Sequence, residues 1–295
     1  MKKLAIFALS IGLVGFAQAD VSVYGMARVY EESSTVGTAA SVTSLTNDKS
    51  RIGIKASDAI GNGLTAFAVV ETNVGVDAPA ASTLGDRTAL VGLSHKMGSI
   101  GFGRDKTALT KSLDGFDAMG GDLFGSSAAA IHSYQGTRLS NTAFVSATLV
   151  QGLTGKVELA NSEVAGTPNP QVYSLVYSTG PISATYARFD NGTTSVSDAV
   201  GAKFEIAKTG TTVFGLYSDN KVANVTSQGK SMGVTQTVTP TLSAMASYGE
   251  NGGLKAYNLG ANYALGKSAK VLARYLKETA AIDTTRYGVG LEYSF

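Results

Sequence analysis

Two groups of charged residues in the sequence are the best candidates for interacting with ions and small polar molecules. Four aspartates lie in or beside a long irregular stretch over residues 106–130: Asp105, Asp114, Asp117 and Asp122. Basic residues lie on the polar faces of alternating segments elsewhere in the chain: Arg28, Arg51, Lys55 and Arg138. Opposite charges held close together produce a strong local field, which sorts ions and orients dipolar molecules without making or breaking bonds.

Residues for bond-making chemistry are scarce. The chain has two histidines, His95 and His132, no cysteine, and no G-x-S-x-G nucleophile motif. His95 directly follows Ser94, and neighbours on a strand point to opposite faces. We therefore expect neither an enzyme nor a metal centre, and no cofactor.

The C-terminal segment shows most clearly which elements must position these charges. Apolar and polar or small residues alternate strictly, with the apolar ones being Tyr287, Val289, Leu291, Tyr293 and Phe295. A period of two places one face of a β-strand in an apolar medium and the other in a polar one.

The same alternation recurs in segments of about ten residues separated by Gly, Asn, Asp and Pro. It predicts sixteen strands at about 20–32, 48–57, 64–74, 86–95, 99–105, 136–150, 153–162, 171–178, 182–190, 197–208, 211–220, 228–238, 241–250, 255–265, 268–278 and 284–295. A Ser/Thr-rich loop is expected at 33–47. Short joins alternate with longer polar loops, which favours an all-β transmembrane fold, a 16-stranded antiparallel β-barrel. A large soluble β-sandwich or β-helix is the alternative.

The N-terminal segment, residues 1–19, is typical of a secretory signal peptide. Two lysines precede a short apolar run, and a small-x-small site ends at Ala19. The run is too short to span a bilayer as a helix. We predict cleavage between Ala19 and Asp20, which leaves residues 20–295 as one barrel domain.

Composition limits the partners. Removal of Lys2 and Lys3 with the signal leaves 22 basic residues, which equal the 22 acidic ones. A formally neutral chain is not expected to hold nucleic acid through bulk positive charge. An exported chain without cysteine also relies on no disulfide.

Several segments together resemble the trimeric general porins of Gram-negative bacteria, particularly the betaproteobacterial type. They are SRIGIK at 50–55, GNGLTA at 61–66, DRTALVGLS at 86–94, GSIGFGRD at 98–105, DVSVYG at 20–25 and the terminal YSF. The resemblance spans the whole mature chain. One departure is Gly103-Arg104-Asp105, where the family often has Gly-Arg-Gln, and it adds an acid near the long loop.

The resemblance implies an outer-membrane homotrimer through which ions and small hydrophilic solutes diffuse passively. It further implies contacts with outer-membrane lipid and lipopolysaccharide, and assembly by the barrel-assembly machinery through a C-terminal strand ending in Tyr293 and Phe295. The third external loop is expected to fold inward, placing its four aspartates opposite a basic wall. A substrate-selective channel for saccharides or anions is the main alternative, and an adhesin is another. The excess of lumen arginines slightly favours anions.

Two arginines do not follow the alternation simply. Arg87 is in phase with apolar residues of its predicted strand, although the family places an arginine at this motif near the pore. We include it in the predicted basic wall, through a bulge or a position beyond the lipid boundary. Arg104 is also in phase with apolar residues, which favours a contact between subunits.

Overall fold

A computed structural model describes residues 19–78, 82–125, 130–132, 137–223 and 225–295. Apart from Ala19, the predicted signal peptide lies outside the described residues. Nearly all of the described chain is β-strand. No helix within these ranges is long and apolar enough to cross a bilayer.

Seventeen strand segments and one α-helix follow one another along the described chain. The strands are β1 (Asp20–Val36), β2 (Val42–Asn47), β3 (Arg51–Gly61), β4 (Leu64–Asn73), β5 (Thr88–His95), β6 (Gly98–Lys106), β7 (Arg138–Val150), β8 (Leu153–Ala160), β9 (Gln171–Thr179), β10 (Ile182–Asp190), β11 (Ser195–Ile206), β12 (Thr211–Val222), β13 (Val225–Thr237), β14 (Leu242–Asn251), β15 (Leu254–Ala264), β16 (Ala269–Thr279) and β17 (Thr284–Ser294). Helix α1 spans Ala108–Gly115, and a 3₁₀ turn spans Ala130–His132.

The strands form one closed antiparallel sheet. Each strand from β3 onward pairs with the next, and β17 returns to β1 over Met26–Val36. Two backbone hydrogen bonds complete the closure, from Gly25 N to Phe295 O (2.9 Å) and from Phe295 N to Gly25 O (3.1 Å). Closure leaves no unpaired edge along the sheet.

Segments β2 and β3 together form one interrupted strand of the barrel. Both pair with the same edge of β1, β3 with its first residues and β2 with its later ones. The chain breaks between them at 48–50, where Lys49 has a φ of 59°. The predicted sixteen-stranded antiparallel barrel is therefore confirmed, whereas the loop predicted at 33–47 is wrong because most of it is strand.

Inward and outward faces alternate as the sequence pattern indicates. In β17, Tyr287, Val289, Leu291 and Tyr293 are exposed on the outer face. Gly290 faces inward beneath the Tyr30 ring, where an added Cβ would lie 2.5 Å from a ring carbon. The barrel is thus apolar outside and holds its polar and small residues inside.

The two ends of the barrel differ. Asp20, Phe295 and the turns at 62–63, 96–97, 151–152, 180–181, 207–210, 238–241 and 265–268 lie at one end, here called the short-turn end. The opposite, long-loop end carries the connection between β6 and β7, over residues 107–137, here called the inner loop. The described parts of this connection, residues 107–125 and 130–132, fold into the barrel.

Candidate functional site

The first half of the inner loop is fixed by helix α1. Thr107 caps the helix, its hydroxyl accepting a hydrogen bond from Thr110 N (3.2 Å). Glu158 on β8 accepts another from Ala108 N (2.8 Å). An apolar cluster joins the helix to strands β9–β12 and consists of Ala108, Leu109, Leu113, Phe116, Val172, Ala187, Phe189, Ala199 and Leu216. Burial of these side chains holds the helix against one side of the barrel wall.

The second half of the loop is fixed on the opposite side. Tyr30, Phe124, Ile131, Ala256, Leu272 and Leu276 form its apolar contact with β1, β15 and β16. Arg274 Nε donates to Asp122 Oδ2 (2.7 Å), and both side chains are almost fully buried. Arg286 lies over the Phe124 ring, 4.9 Å from its centroid, and pairs with Glu32 (2.7 Å). The loop therefore crosses the interior and is held at both ends.

The loop and strands β1–β7 enclose a charged cavity of about 310 Å³, here called the constriction. Its lining residues are Met26, Arg28, Lys49, Arg51, Glu71, Arg87, Thr88, Asp105, Lys106, Asp114, Gly120 and Arg138. The structure thus brings together four of the five predicted wall residues and two of the four predicted loop acids.

Arg28 is held by two carboxylates. Its NH1 donates to Asp48 Oδ2 (2.9 Å), while its Nε (2.8 Å) and NH2 (2.6 Å) donate to Glu292 Oε2. Asp48 lies in the break between β2 and β3, and Glu292 lies on β17. Because three charge-assisted bonds hold the guanidinium, its position is fixed more firmly than that of a free side chain.

Two other arginines, Arg51 and Arg87, share the carboxylate of Glu71. Glu71 accepts from Arg87 Nε (2.7 Å) and lies 3.3 Å from Arg51 Nε. Arg87 also donates to Asn73 Oδ1 (2.7 Å). Arg87 precedes the first residue of β5, so the alternation of that strand does not govern its side chain. This accounts for an inward arginine at a position that strict phase assigns to the outer face.

Arg138 is the one arginine of the constriction whose charge is not balanced by a carboxylate partner among the described residues. Its NH1 donates to the backbone oxygen of Arg87, and among the described residues no ion pair includes it. Lys49 likewise donates to a loop backbone oxygen, that of Gly121. These two cations reach the cavity without a carboxylate partner.

The loop acids fall into two classes. Asp114 pairs with Lys106, and Asp105 pairs with Lys111 and accepts from Thr88 Oγ1 (3.1 Å). Asp117 and Asp122 are 4% and 1% exposed. Neither lines the constriction: Asp117 accepts from Met119 N (3.0 Å) within the loop, and Asp122 is bound to Arg274 on the wall.

Two other basic residues lie apart from the constriction. Lys55 is exposed on β3, paired in register with Ser22 and Val69, nearer the short-turn end. Arg104 donates to Asp86 O (2.9 Å) and Ser140 Oγ (2.7 Å), which ties the ends of neighbouring strands together. A register shift between Gly103 and Asp105 accompanies it.

The charge of the constriction is positive. Six cationic and three carboxylate side chains line it. Counting also the partners that touch these groups, Asp48, Glu292 and Lys111, gives seven cations against five carboxylates. The cationic excess persists by either count.

His132 attaches the inner loop to the barrel wall, and its contacts among the described residues are not those of a catalytic histidine. It is 2% exposed, with Nδ1 2.7 Å from Ser218 Oγ and Nε2 2.9 Å from Ser231 Oγ. Ser218 lies on β12 and Ser231 on β13, so both hydroxyls belong to the barrel wall against which this part of the loop packs. Burial lowers the pKa of His132 to about 4, so the ring is neutral at pH 7.

Sequence reasoning missed Asp48 and Lys49. Both lie in the break between β2 and β3, and the prediction treated this segment as the start of a strand. The sequence Asn-Asp-Lys-Ser at 47–50 is a turn signal that could have indicated the break.

The sequence matches the Gram-negative porin family over residues 5–295. No curated protein matches the chain significantly. Among solved structures, the anion-selective porin of Comamonas acidovorans superposes with a TM-score of 0.78 at 17% identity, covering 94% of this chain and 100% of that one. The Salmonella typhi OmpF complex with daunomycin gives 0.74 at 18%, covering 93% and 97%. The trimer form of OmpT of Vibrio cholerae gives 0.68 at 14%, covering 94% and 99%.

A closed sixteen-stranded barrel, apolar outside and crossed inside by a charged loop, is wide enough to hold a water-filled passage. The family match extends over almost the whole chain. The chain therefore belongs to the Gram-negative porin family, the outer-membrane β-barrel channels through which small solutes diffuse passively.

Proposed function

We propose that this porin is an anion-preferring general diffusion channel whose selectivity is set at the constriction. The observation that carries the proposal is the surplus of cationic side chains around the constriction. Arg28, Arg51, Arg87 and Arg138 form its basic wall, and Asp105 and Asp114 supply the opposing charge. Lys55 contributes only at a distance along the same face.

The size of the effect follows from Coulomb's law. A unit charge about 6 Å from a passing ion changes its energy by about 0.7 kcal/mol in water, roughly threefold in local concentration. A surplus of two or three such charges gives a clear preference for anions while still admitting cations. Arginine suits this role because it remains charged at every working pH.

Neutralising single cations tests the assignment. In a planar bilayer under a tenfold KCl gradient, Arg138→Gln and Arg51→Gln are expected to move the reversal potential toward cations. Arg138→Gln is expected to have the larger effect, since it has no carboxylate partner among the described residues. Lys55→Gln removes the same charge away from the cavity and serves as the control. Equal potentials in all three variants would contradict the proposal.

The same proposal covers processing and assembly. We infer that residues 1–19 are removed between Ala19 and Asp20, and that residues 20–295 form the mature barrel. Porin homologues form trimers, and we expect this chain to form a homotrimer surrounded by outer-membrane lipid and lipopolysaccharide. Tyr293 and Phe295 would present the closing strand to the barrel-assembly machinery, and small hydrophilic solutes and ions would be the cargo. Mass spectrometry of the mature N-terminus and native-gel mobility of the purified protein test these points.

A further inference from the structure

A second cavity lies beneath helix α1 and shares no lining residue with the constriction. Its volume is about 380 Å³, and it lies between the helix and strands β7–β11. Ser178 and Ser183, which flank the turn at 180–181, contribute to its wall. The cavity therefore faces the short-turn end of the barrel.

Three lysines and no carboxylate line this cavity. Lys111 comes from the helix, Lys156 from β8 and Lys203 from β11. Each lysine pairs with an acid outside the lining: Lys111 with Asp105, Lys156 with Glu158, and Lys203 with Glu205 at 3.7 Å. The charged groups of the lining itself are all cationic, and Lys203, which has the longest of these ion pairs, is the lysine most available to an anion that enters.

Hydroxyl groups add donors beside the lysines. Ser178 Oγ and Ser183 Oγ are 2.7 Å apart, and such a pair uses only one of its two hydroxyl hydrogens. The other hydrogen can be donated to an anion. The cavity thus combines cationic and neutral donors of the kind that bind a carboxylate.

The remaining wall is mixed: further serine and threonine side chains alternate with the apolar side chains Val176 and Phe116. Val176 faces inward and is 37% exposed. The Phe116 ring lies against Gly201, where an added Cβ would be 2.8 Å from a ring carbon. Phe116 itself is buried, so Val176 supplies the accessible apolar contact, and an apolar contact beside cationic donors is a feature of ligand sites.

We propose that this cavity binds small organic anions that carry an apolar body, such as single-ring aromatic carboxylates. The lysines hold the carboxylate, while Val176 contacts the ring. The volume is at the small end of ligand pockets, which suits one ring and not a larger drug-sized molecule. The inference rests on the proposed channel function and adds a solute class to it.

The test measures concentration-dependent reduction of single-channel current by benzoate added from the short-turn side. Benzyl alcohol is the probe without charge, and sulfate is the probe without an apolar body. We expect benzoate to reduce the current at lower concentration than either probe. Lys203→Gln is expected to weaken the benzoate effect about fivefold, as loss of one partly exposed cation should.

Two further variants separate the contributions. Val176→Thr keeps the shape and is expected to weaken benzoate but not sulfate. Lys208→Gln, in the turn after β11, removes the same charge outside the cavity and should change nothing. Equal effects of benzoate and benzyl alcohol, or an equal benzoate effect in the Lys203 and Lys208 variants, would overturn the proposal. The KCl reversal potential is recorded in the same bilayers, so a failure of constriction selectivity is seen separately.

Discussion

Acidification should weaken the attachment of the inner loop through His132. The ring is buried between Ser218 and Ser231, and burial holds its pKa at about 4 against an ordinary value of 6.5. The docked loop therefore favours neutral histidine. Above pH 6.5 both docked and released states carry a neutral ring, and the docking energy is fully retained.

The loss develops as the pH falls from 6.5 toward 4. In this window the released loop takes up a proton that the docked loop excludes, so each pH unit weakens docking. A difference of 2.5 units between the two pKa values in His132 corresponds to roughly 3 kcal/mol once the pH is below both. Half of this penalty, reached near pH 5, is enough to raise the released fraction about tenfold.

Single-channel noise measures loop release. We expect the wild-type channel to show more frequent current fluctuations between pH 6 and pH 4 than at pH 7.5. His132→Gln keeps hydrogen-bonding groups but cannot take up a proton, so its fluctuations should rise less over the same range. Both proteins share every carboxylate, and the difference between them therefore isolates the histidine. Superimposable pH profiles would refute the reasoning.

Two other perturbations act on the same attachment. Arg274→Met leaves the buried carboxylate of Asp122 without its partner and should cost about 3–5 kcal/mol of loop docking, which would be seen as a larger and noisier conductance. The control Arg188→Met removes a half-exposed ion pair and should cost under about 1 kcal/mol. Gly229→Ala would place a Cβ 2.1 Å from the Ile131 oxygen, so the loop must shift and the conductance should change, while Gly215→Ala, with no atom within 4 Å, should leave it unaltered. Equal conductance in the members of either pair would count against the described loop contacts.

Strand alternation was sufficient to predict the barrel because the period of two is imposed by the contrast between an apolar exterior and a wet interior. It failed where that contrast is absent. The segments Ser33–Val36 and Val42–Asn47 are strand, yet polar residues occur on both faces, so the pattern read as a loop. The β-branched residues Val42 and Thr43 were the available signal.

The constriction was predicted only in part, for a different reason. Arg28, Arg51 and Arg138 follow from alternation and Arg87 does not, while the position of each loop acid depends on residues distant in sequence. Asp122 is bound by Arg274, 152 positions away, whereas Asp114 pairs with Lys106 nearby. Local sequence contains nothing that separates the buried acid from the pore-facing one.

We propose that the surplus of positive charge at the constriction sets the selectivity of the channel. The reversal potential of the unmodified protein in a tenfold KCl gradient tests it most directly. The predicted result is a reversal potential with the sign of the chloride equilibrium potential, which marks a preference for anions. A reversal potential of zero, or one with the sign of the potassium equilibrium potential, would contradict the proposal.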